Sequence, residues 1–202
     1  LDFFNSELSP KVQENLRRTL DSTSRLTTLL QVMYDFAKLG SKAALMDEVQ
    51  LCTLVPEVIR DLSYDSQDGL VVEIGELPKV WGNDELLRRV FLNLFQNAVK
   101  YNDKSEKEIS IGVRGVVSRN IGKFVGLYVK DNGPGISNEE ISRLFNLFSR
   151  GSKGEGLGVG LAVVKRIIDL HFGTISVESM EGAGTTFVLS LPVHRIIISS
   201  IS

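Results

Sequence analysis

Apolar residues recur between positions 10 and 39 at Val12, Leu16, Leu20, Leu26, Leu30, Met33 and Ala37, with Thr23 filling one gap. Steps of three and four put them on one stripe of a long helix. Ser9-Pro10 supplies its start, an N-cap hydroxyl followed by proline at the first helical position, and Gly40-Ser41 its end. At ~1.5 Å per residue such a helix spans roughly 45 Å. It cannot bury a stripe on itself, so the spacing predicts a bundle or coiled-coil neighbour. Thr19, Ser22, Thr23, Ser24, Thr27 and Thr28 form helix poorly, so stability has to come from packing. Leu1, Phe4 and Leu8 also share a helical face, as the end of a preceding helix would.

The pattern then shortens. Val49–Leu51 reads as a strand, and Leu54, Val55, Val58, Ile59 and Leu62 as an amphipathic helix. Leu70–Ile74 reads as a strand. Val80-Trp81-Gly82 leads into a second strong helix, Asp84–Tyr101, with Leu86, Leu87, Val90, Phe91, Leu94, Phe95 and Ala98 on its apolar face. Asn102–Glu108 reads as a charged, solvated turn. Ile109–Val117 and Lys123–Lys130 form a hairpin around Arg119-Asn120-Ile121-Gly122. Asp131-Asn132-Gly133-Pro134-Gly135 breaks the strand, Ile141–Phe148 reads as a short helix, and a further helix begins at Leu161. Thr174–Glu178 and Thr185–Leu191 are strands joined by a glycine-rich turn; Ile196–Ser202 is a tail, frayed or packed on a neighbour. Irregular alternation with hairpins predicts an α+β fold, a two-layer sandwich with helices on one face of a mixed sheet.

Composition narrows the class. The 202 residues allow one domain plus an appendage. A net charge of −2 gives no broad basic field for nucleic acid. A single cysteine, Cys52, rules out an internal disulfide framework and reads as a small buried apolar residue. No apolar run approaches ~18 residues, so no membrane contact is expected of this chain. It starts at Leu1 without Met, as a piece of something longer would.

The chemistry gathers around glycine. Gly151, Gly154, Gly156, Gly158, Gly160 and Gly173 bracket an apolar helical pattern that starts at Leu161. Glycine costs ordering entropy, and such a run makes sense where backbone N–H groups must meet a ligand without a Cβ in the way. A helix N-terminus behind it is suited to phosphate. The dinucleotide and P-loop patterns are both missing, since Val159 stands where a third glycine would fall and no G-K-[ST] follows. Protein-kinase marks such as H-R-D and D-F-G are absent too. The plainer reading of the run is a surface loop.

Five ordered stretches decide between them: N-L-F-Q-N-A-V-K-Y at Asn93–Tyr101, D-N-G-P-G-I at Asp131–Ile136, L-F-N-L-F at Leu144–Phe148, G-E-G-L-G-V-G-L at Gly154–Leu161, and G-A-G-T-T-F at Gly182–Phe187. In these, residues 45–193 resemble the ATP-binding catalytic domain of sensor histidine kinases of two-component systems. That domain belongs to the GHKL superfamily, which also holds gyrase, Hsp90 and MutL; V-W-G-N-D before the helix looks most like the phytochrome type. The resemblance implies a Bergerat-type ATP-binding fold over 45–195, after part of a helical-hairpin dimerisation domain over 1–44, with 196–202 as tail. It implies ATP and Mg²⁺ as ligands, a response-regulator receiver domain as partner, a homodimer through the N-terminal helix, and a cytoplasmic place.

Asn93, Asn97 and Lys100 stand at i, i+4 and i+7 and so share a helix face. A buried face bearing two carboxamides and an ammonium is costly unless it meets a polar ligand. Asn97 offers the hard oxygen that Mg²⁺ accepts, and the resemblance gives it that role. Lys100 is a point charge toward phosphate, with Tyr101 closing over it. The plainer reading of Asn93 is a helix–strand hydrogen bond. The resemblance assigns Asp131 to the adenine amino group; the plainer reading is an Asx-turn cap for Asn132-Gly133. Gly133 and Gly135 let the backbone pass close to the base, and Ile136 and Phe148 supply apolar walls. Arg150 and Lys153 flank a lid whose Gly156, Leu157, Gly158, Val159 and Gly160 meet the phosphates, ahead of Leu161. Thr185 or Thr186 places a hydroxyl near the nucleotide.

The ATPase branches carry Glu four residues before the metal-binding Asn, to activate water. Asn93 stands there, and a carboxamide cannot take a proton, which favours transfer to a neutral imidazole over hydrolysis. His171 falls where the family often has a structural histidine, and His194 lies past the last strand. The family's acceptor histidine, in an H-E-x-x-x-P-like context, is absent from the chain. Truncation upstream explains this most simply. A degenerate kinase acting as a nucleotide-binding scaffold is the alternative, and a GHKL ATPase the third reading.

Overall fold

The structure, a computed structural model, describes residues 9, 11–20, 22–23, 27, 45–65, 69–147 and 158–196. The chain divides into two compact units, residues 1–38 and 39–202. In the first, residues 11–20 are helical (α1). Val12, Leu16 and Leu20 repeat along it at steps of four, and all three are exposed. Its hydroxyls are accommodated by back-bonding: Thr19, Ser22 and Thr23 donate to the carbonyls of Asn15, Arg18 and Thr19 at 2.7–2.9 Å. The stripe beyond Leu20 at Leu26, Leu30, Met33 and Ala37, the face at Leu1–Leu8 and the tail after Ile196 lie outside the described residues.

The second unit runs β1 (Asp47–Gln50), α2 (Leu51–Asp65), β2 (Leu70–Ile74), β3 (Lys79–Gly82), α3 (Asp84–Lys100), β4 (Lys107–Arg119), β5 (Gly122–Asp131), α4 (Asn138–Ile141), α5 (Gly160–Leu170), β6 (Thr174–Met180) and β7 (Gly184–Pro192). Five strands form a mixed sheet in the order β2-β4-β5-β7-β6, parallel only between β2 and β4. β1 and β3 pair antiparallel as a separate ribbon. The helices α3 and α5 pack against each other and on one face of the sheet, and α2 packs on α3. This is the expected α+β two-layer sandwich.

Strand alternation sets the core. Ile109 and Ile111 of β4, Leu127 and Val129 of β5, and Phe187 and Leu189 of β7 are all buried on the helix-bearing face. Leu87, Phe91, Phe95, Val163 and Ile167 meet them from the helices, with the Phe91 and Phe95 rings 6.2 Å apart. Burying a side chain of this size contributes roughly 1.5–3 kcal/mol, which fixes α3 and α5 relative to the strand ends.

Some elements differ from the sequence reading. Leu51 is the first residue of α2, not the last of a strand, because its side chain joins the fully buried stripe of Leu54, Val55 and Val58. Cys52, the next residue, falls off that stripe and is exposed. The expected helix at Ile141–Phe148 is instead the single turn α4, capped by Ser137, followed by turns through Leu147. There the hydrogen bonds shorten to three-residue steps, Leu144 N–H to Ile141 and Asn146 N–H to Arg143, while the Ser142 hydroxyl takes the Glu139 carbonyl. Asn102 is buried rather than solvated.

The ends of α3 and α5 are joined by His171. Its ring is fully buried, with Nδ1 2.7 Å from the Ile167 carbonyl and Nε2 accepting the backbone N–H of Asn83 at 3.0 Å. Asn83 is the N-cap of α3, its Oδ1 accepting from Leu86 N–H at 3.0 Å. Gly82 has no room for a side chain, since a Cβ would stand 2.8 Å from His171 Cδ2 and Leu87 Cδ1. Burial holds the imidazole below its ordinary 6.5, against the Ile167 hydrogen bond. The unfolded chain therefore takes up the proton first. Stability is complete above about pH 6.5 and falls as the pH drops below it. Urea unfolding from pH 8 to 5 is expected to show this decline. His171→Ala is expected to cost ~2–4 kcal/mol at pH 8 and to flatten the acid-side slope.

Candidate functional site

The candidate residues stand at the C-terminal end of β5, in the middle of α3 and at the N-terminus of α5. β5 is buried through Val125, Leu127 and Val129, and Asp131 continues that inward face. Its Oδ1 accepts the N–H groups of Gly133 at 2.9 Å and Thr185 at 3.3 Å. Burial pushes the Asp131 carboxyl above its ordinary 3.8, opposed by those two donors and by the Lys104 charge. The Asx turn onto Gly133 is thus present, and the Thr185 bond adds a second tie to the next strand.

Thr185 and Thr186 separate by alternation. Thr185 pairs with Asp131 and is buried beside it, whereas Thr186 pairs with Lys130 and turns to the opposite face of the sheet. Of the two expected hydroxyls, only Thr185 shares the side of Asp131. A residue the sequence reading did not single out, Ser179, completes this corner. Its hydroxyl accepts the Ile136 N–H at 2.9 Å, donates to the Gly184 carbonyl at 2.9 Å and lies 3.0 Å from Thr185 Oγ1. Only the pairing of Ser179 with Thr185 across β6 and β7 shows its place.

The glycines here are set by backbone approach. At Gly135 a Cβ would meet the Met180 carbonyl oxygen at 2.1 Å, and at Gly184 the Asp131 carbonyl oxygen at 2.1 Å; both have positive φ. The loop after Asp131 is therefore pressed onto the β6–β7 turn, with Gly182 N–H bonded to the Pro134 carbonyl at 2.7 Å. Ile136 is half-buried at its end.

On α3, Asn93 and Asn97 are half-buried and Lys100 is exposed, at the margin of the apolar stripe and not on a buried face as expected. Asn93 Nδ2 donates to the Arg89 carbonyl at 2.8 Å. Its Oδ1 faces α5: a Cβ on Gly160 would come within 2.7 Å of it. The Asn97 side chain makes no hydrogen bond among the described residues. The Lys100 ammonium stands 5.4 Å from the centroid of the Tyr101 ring, an exposed cation–π geometry.

α5 starts differently from α3. α3 has a side-chain cap and Asp84 and Glu85 in its first turn; α5 has Val159 as N-cap, no side-chain cap bond and no acidic first-turn residue. Gly158 precedes it at φ 65°. Leu161 is half-buried in the first turn, and Val159 is buried. An uncapped helix start with open N–H groups favours an anion. Phe148, Arg150, Lys153, Gly156 and Leu157 lie outside the described residues.

Among the described residues no cluster of three His, Cys, Asp or Glu is arranged to hold a metal. A lone amide oxygen such as Asn97 fits a cation that keeps most of its shell as water and phosphate, the habit of Mg²⁺. No described helix is long and apolar enough to cross a membrane.

A buried carboxylate on a strand end, a glycine-built loop and an amide facing an uncapped helix start define a nucleotide-binding domain of α+β type. Residues 82–195 match the family described as histidine kinase-, DNA gyrase B-, and HSP90-like ATPase, and the chain belongs to it. It is a catalytic ATP-binding domain of the histidine-kinase kind within the GHKL superfamily. Cyanobacterial phytochrome B of Nostoc is 33% identical over 89% of this chain, and sensor protein kinase PmrB of Pseudomonas aeruginosa is 34% identical over 85%. The chain spans 24% and 36% of those two relatives. Full-length ShkA, solved in complex with AMPPNP, shares the fold with a TM-score of 0.67 at 23% identity, over 96% of this chain and 42% of that one.

Asp131 is the place to test whether the site stores cost. Its charged form is disfavoured by burial, so Asp131→Asn is expected to unfold no earlier than the parent chain at pH 7. Any gain should shrink as the pH falls from above the raised folded-state value toward the ordinary 3.8, and be gone below it, where the carboxyl is protonated in both states. Thermal melts of the two chains across that range check the sign.

Proposed function

We propose that this chain is the ATP-binding catalytic core of a two-component sensor histidine kinase. In this reading it transfers the γ-phosphoryl group of ATP to a histidine on a dimerising helical hairpin, for relay to an aspartate of a response-regulator receiver domain. The observation that carries the reading is the meeting of α3 and α5, which sets Asn93 Oδ1 against Gly160 at an uncapped helix start. That junction supports the reading by setting the Asn93 amide beside the start of α5, with Asn97 one turn further along α3.

Asp131 accepts the adenine amino group, with Thr185 and Ser179 holding its loop. Guanine offers a carbonyl where adenine offers an amino group, so a carboxylate there selects adenine. Gly158–Leu161 presents N–H groups to the phosphates, and Lys100 adds a point charge. Asn97 is the residue that would hold Mg²⁺, which supplies charge neutralisation on the phosphates. The γ-phosphorus gains a bond to the acceptor imidazole nitrogen and loses its bond to the bridging oxygen, which leaves with ADP; the imidazole sheds its proton. The barrier is then lowered by position and electrostatics.

Asn93 supports transfer over hydrolysis, because its amide is bonded to Arg89 and no carboxylate stands there to activate water. His171 is unsuited as acceptor, being buried with Nδ1 and Nε2 both engaged. The exposed apolar steps at Val12, Leu16 and Leu20 support a helix that pairs in the parent protein, as a homodimer would require.

Mg-ATP is expected to bind with micromolar-class affinity and to be lost in Asp131→Asn and Asn97→Ala, measured by calorimetry. Unchanged affinity in both would sink the nucleotide-site reading. No autophosphorylation of this chain alone is expected. An added hairpin carrying its own histidine should acquire acid-labile label from γ-labelled ATP. Bound ATP with no label would favour the scaffold reading, and steady phosphate release without acceptor the ATPase.

A further inference from the structure

Buried Asn102 and half-buried Asn132 form an amide pair outside the nucleotide-contacting roles. Asn102 is one of three buried polar residues among the described residues, 5% exposed, directly after the C-cap of α3. Asn132 directly follows Asp131. Asn102 Nδ2 donates to Asn132 Oδ1 at 2.6 Å, and the same oxygen accepts the Glu108 N–H at 3.0 Å. Asn102 Oδ1 is taken by the Lys104 N–H at 3.1 Å, and Asn132 Nδ2 donates to the Glu106 carbonyl at 3.2 Å. Each oxygen faces a backbone donor, so neither amide can flip without setting an NH₂ against an N–H. The pair is therefore polar in one direction only: Asn102 gives and Asn132 receives.

We infer that this pair is a positioning clamp, which fixes the loop of Asp131 to the end of α3 and so sets the distance between the base-reading carboxylate and the amides of Asn93 and Asn97. The proposal rests on the nucleotide reading of that site. Three segments are tied at one point: the turn after α3, the start of β4 and the loop leaving β5. Gly133 closes the same point, since its Cβ position lies 3.7 Å from Asn102 Cα and 2.9 Å from Asp131 Oδ1. A ligand that touches both Asp131 and α3 spans this joint, and a loosened joint lets its two halves separate. Asn102 and Asn132 act through Asp131 and α3, as positioning residues, and touch no ligand atom themselves.

The direction of the bond gives a charge-matched test. Asn132→Asp keeps an oxygen for both Asn102 and Glu108 and gives up only the longer, exposed 3.2 Å bond to the Glu106 carbonyl; Asn102→Asp sets a carboxylate against the Asn132 oxygen at the part-buried 2.6 Å bond. Each adds one negative charge at the same joint. Calorimetry with ATP and GTP on the whole chain is expected to show Asn132→Asp within about twofold of the parent. Asn102→Asp is expected to lose about tenfold in ATP affinity, roughly one hydrogen bond's worth. Its ATP-over-GTP preference should narrow, since a residue that merely supports the fold would leave that ratio unmoved. If Asn102→Asp does not fold, Asn102→Ser serves, keeping an acceptor for Lys104 but not reaching Asn132. Equal losses in the two aspartate variants, or an unchanged preference in the Asn102 variant, would overturn the clamp while leaving the nucleotide site standing. Absence of ATP binding in the parent chain would overturn the nucleotide reading and the clamp with it.

Discussion

Asp131 is a carboxylate carried by a buried strand to the edge of the core, and much of the surrounding architecture answers its desolvation. Two backbone donors, Gly133 and Thr185, point at Oδ1. They reach it only because the loop turns back at once and because β7 lies beside β5 in register with Asp131. The turn needs glycine at 135 and 184, where neighbouring carbonyl oxygens leave no space for a Cβ. The donors fall short of offsetting burial, so the charged form remains disfavoured. A group kept in that condition gains most from a ligand that donates a hydrogen bond to it.

The second constraint is the packing of α3 on α5. Phe91, Phe95, Val163 and Ile167 fill the layer between the two helices and the sheet. Gly160 then lets the start of α5 close onto Asn93, and His171 ties the far end of α5 to the N-cap of α3. The helices are joined at both ends by polar contacts of opposite kinds. At His171 every ring nitrogen is engaged and the joint is finished; at Gly160 the helix start has no side-chain cap. The unfinished end is the one beside Asn93, where an uncapped helix start favours an anion.

Much of this was legible in the order of the residues. The stripe of α3, the strand ends at Asp131 and Thr185, and the glycines at 133 and 135 follow from spacing and turn chemistry. The reading went wrong where a residue's environment is made by distant chain. Asn102 sits in a stretch of charged residues and looks solvated, yet the loop after Asp131 folds over it. Thr185 and Thr186 are equivalent in sequence, and only the register with β5 sends one inward and the other out. Cys52 looks like a small core residue, but the stripe of α2 passes it by. The α4 segment carries a helical apolar pattern, and a serine hydroxyl competing for a carbonyl breaks it into turns.

The sequence by itself determined the elements, the layer type and which stretches carry chemistry, because periodicity, capping and glycine demands are local and leave marks within a few residues. Tertiary structure alone decided which groups face each other. The approach of Asn93 to Gly160, the amide pair of Asn102 and Asn132, and the bond from the Ile136 N–H to the Ser179 hydroxyl all join residues 30 or more positions apart. Such contacts are set by sheet register and helix packing, which depend on the sum of many burials and have no signature at any single position.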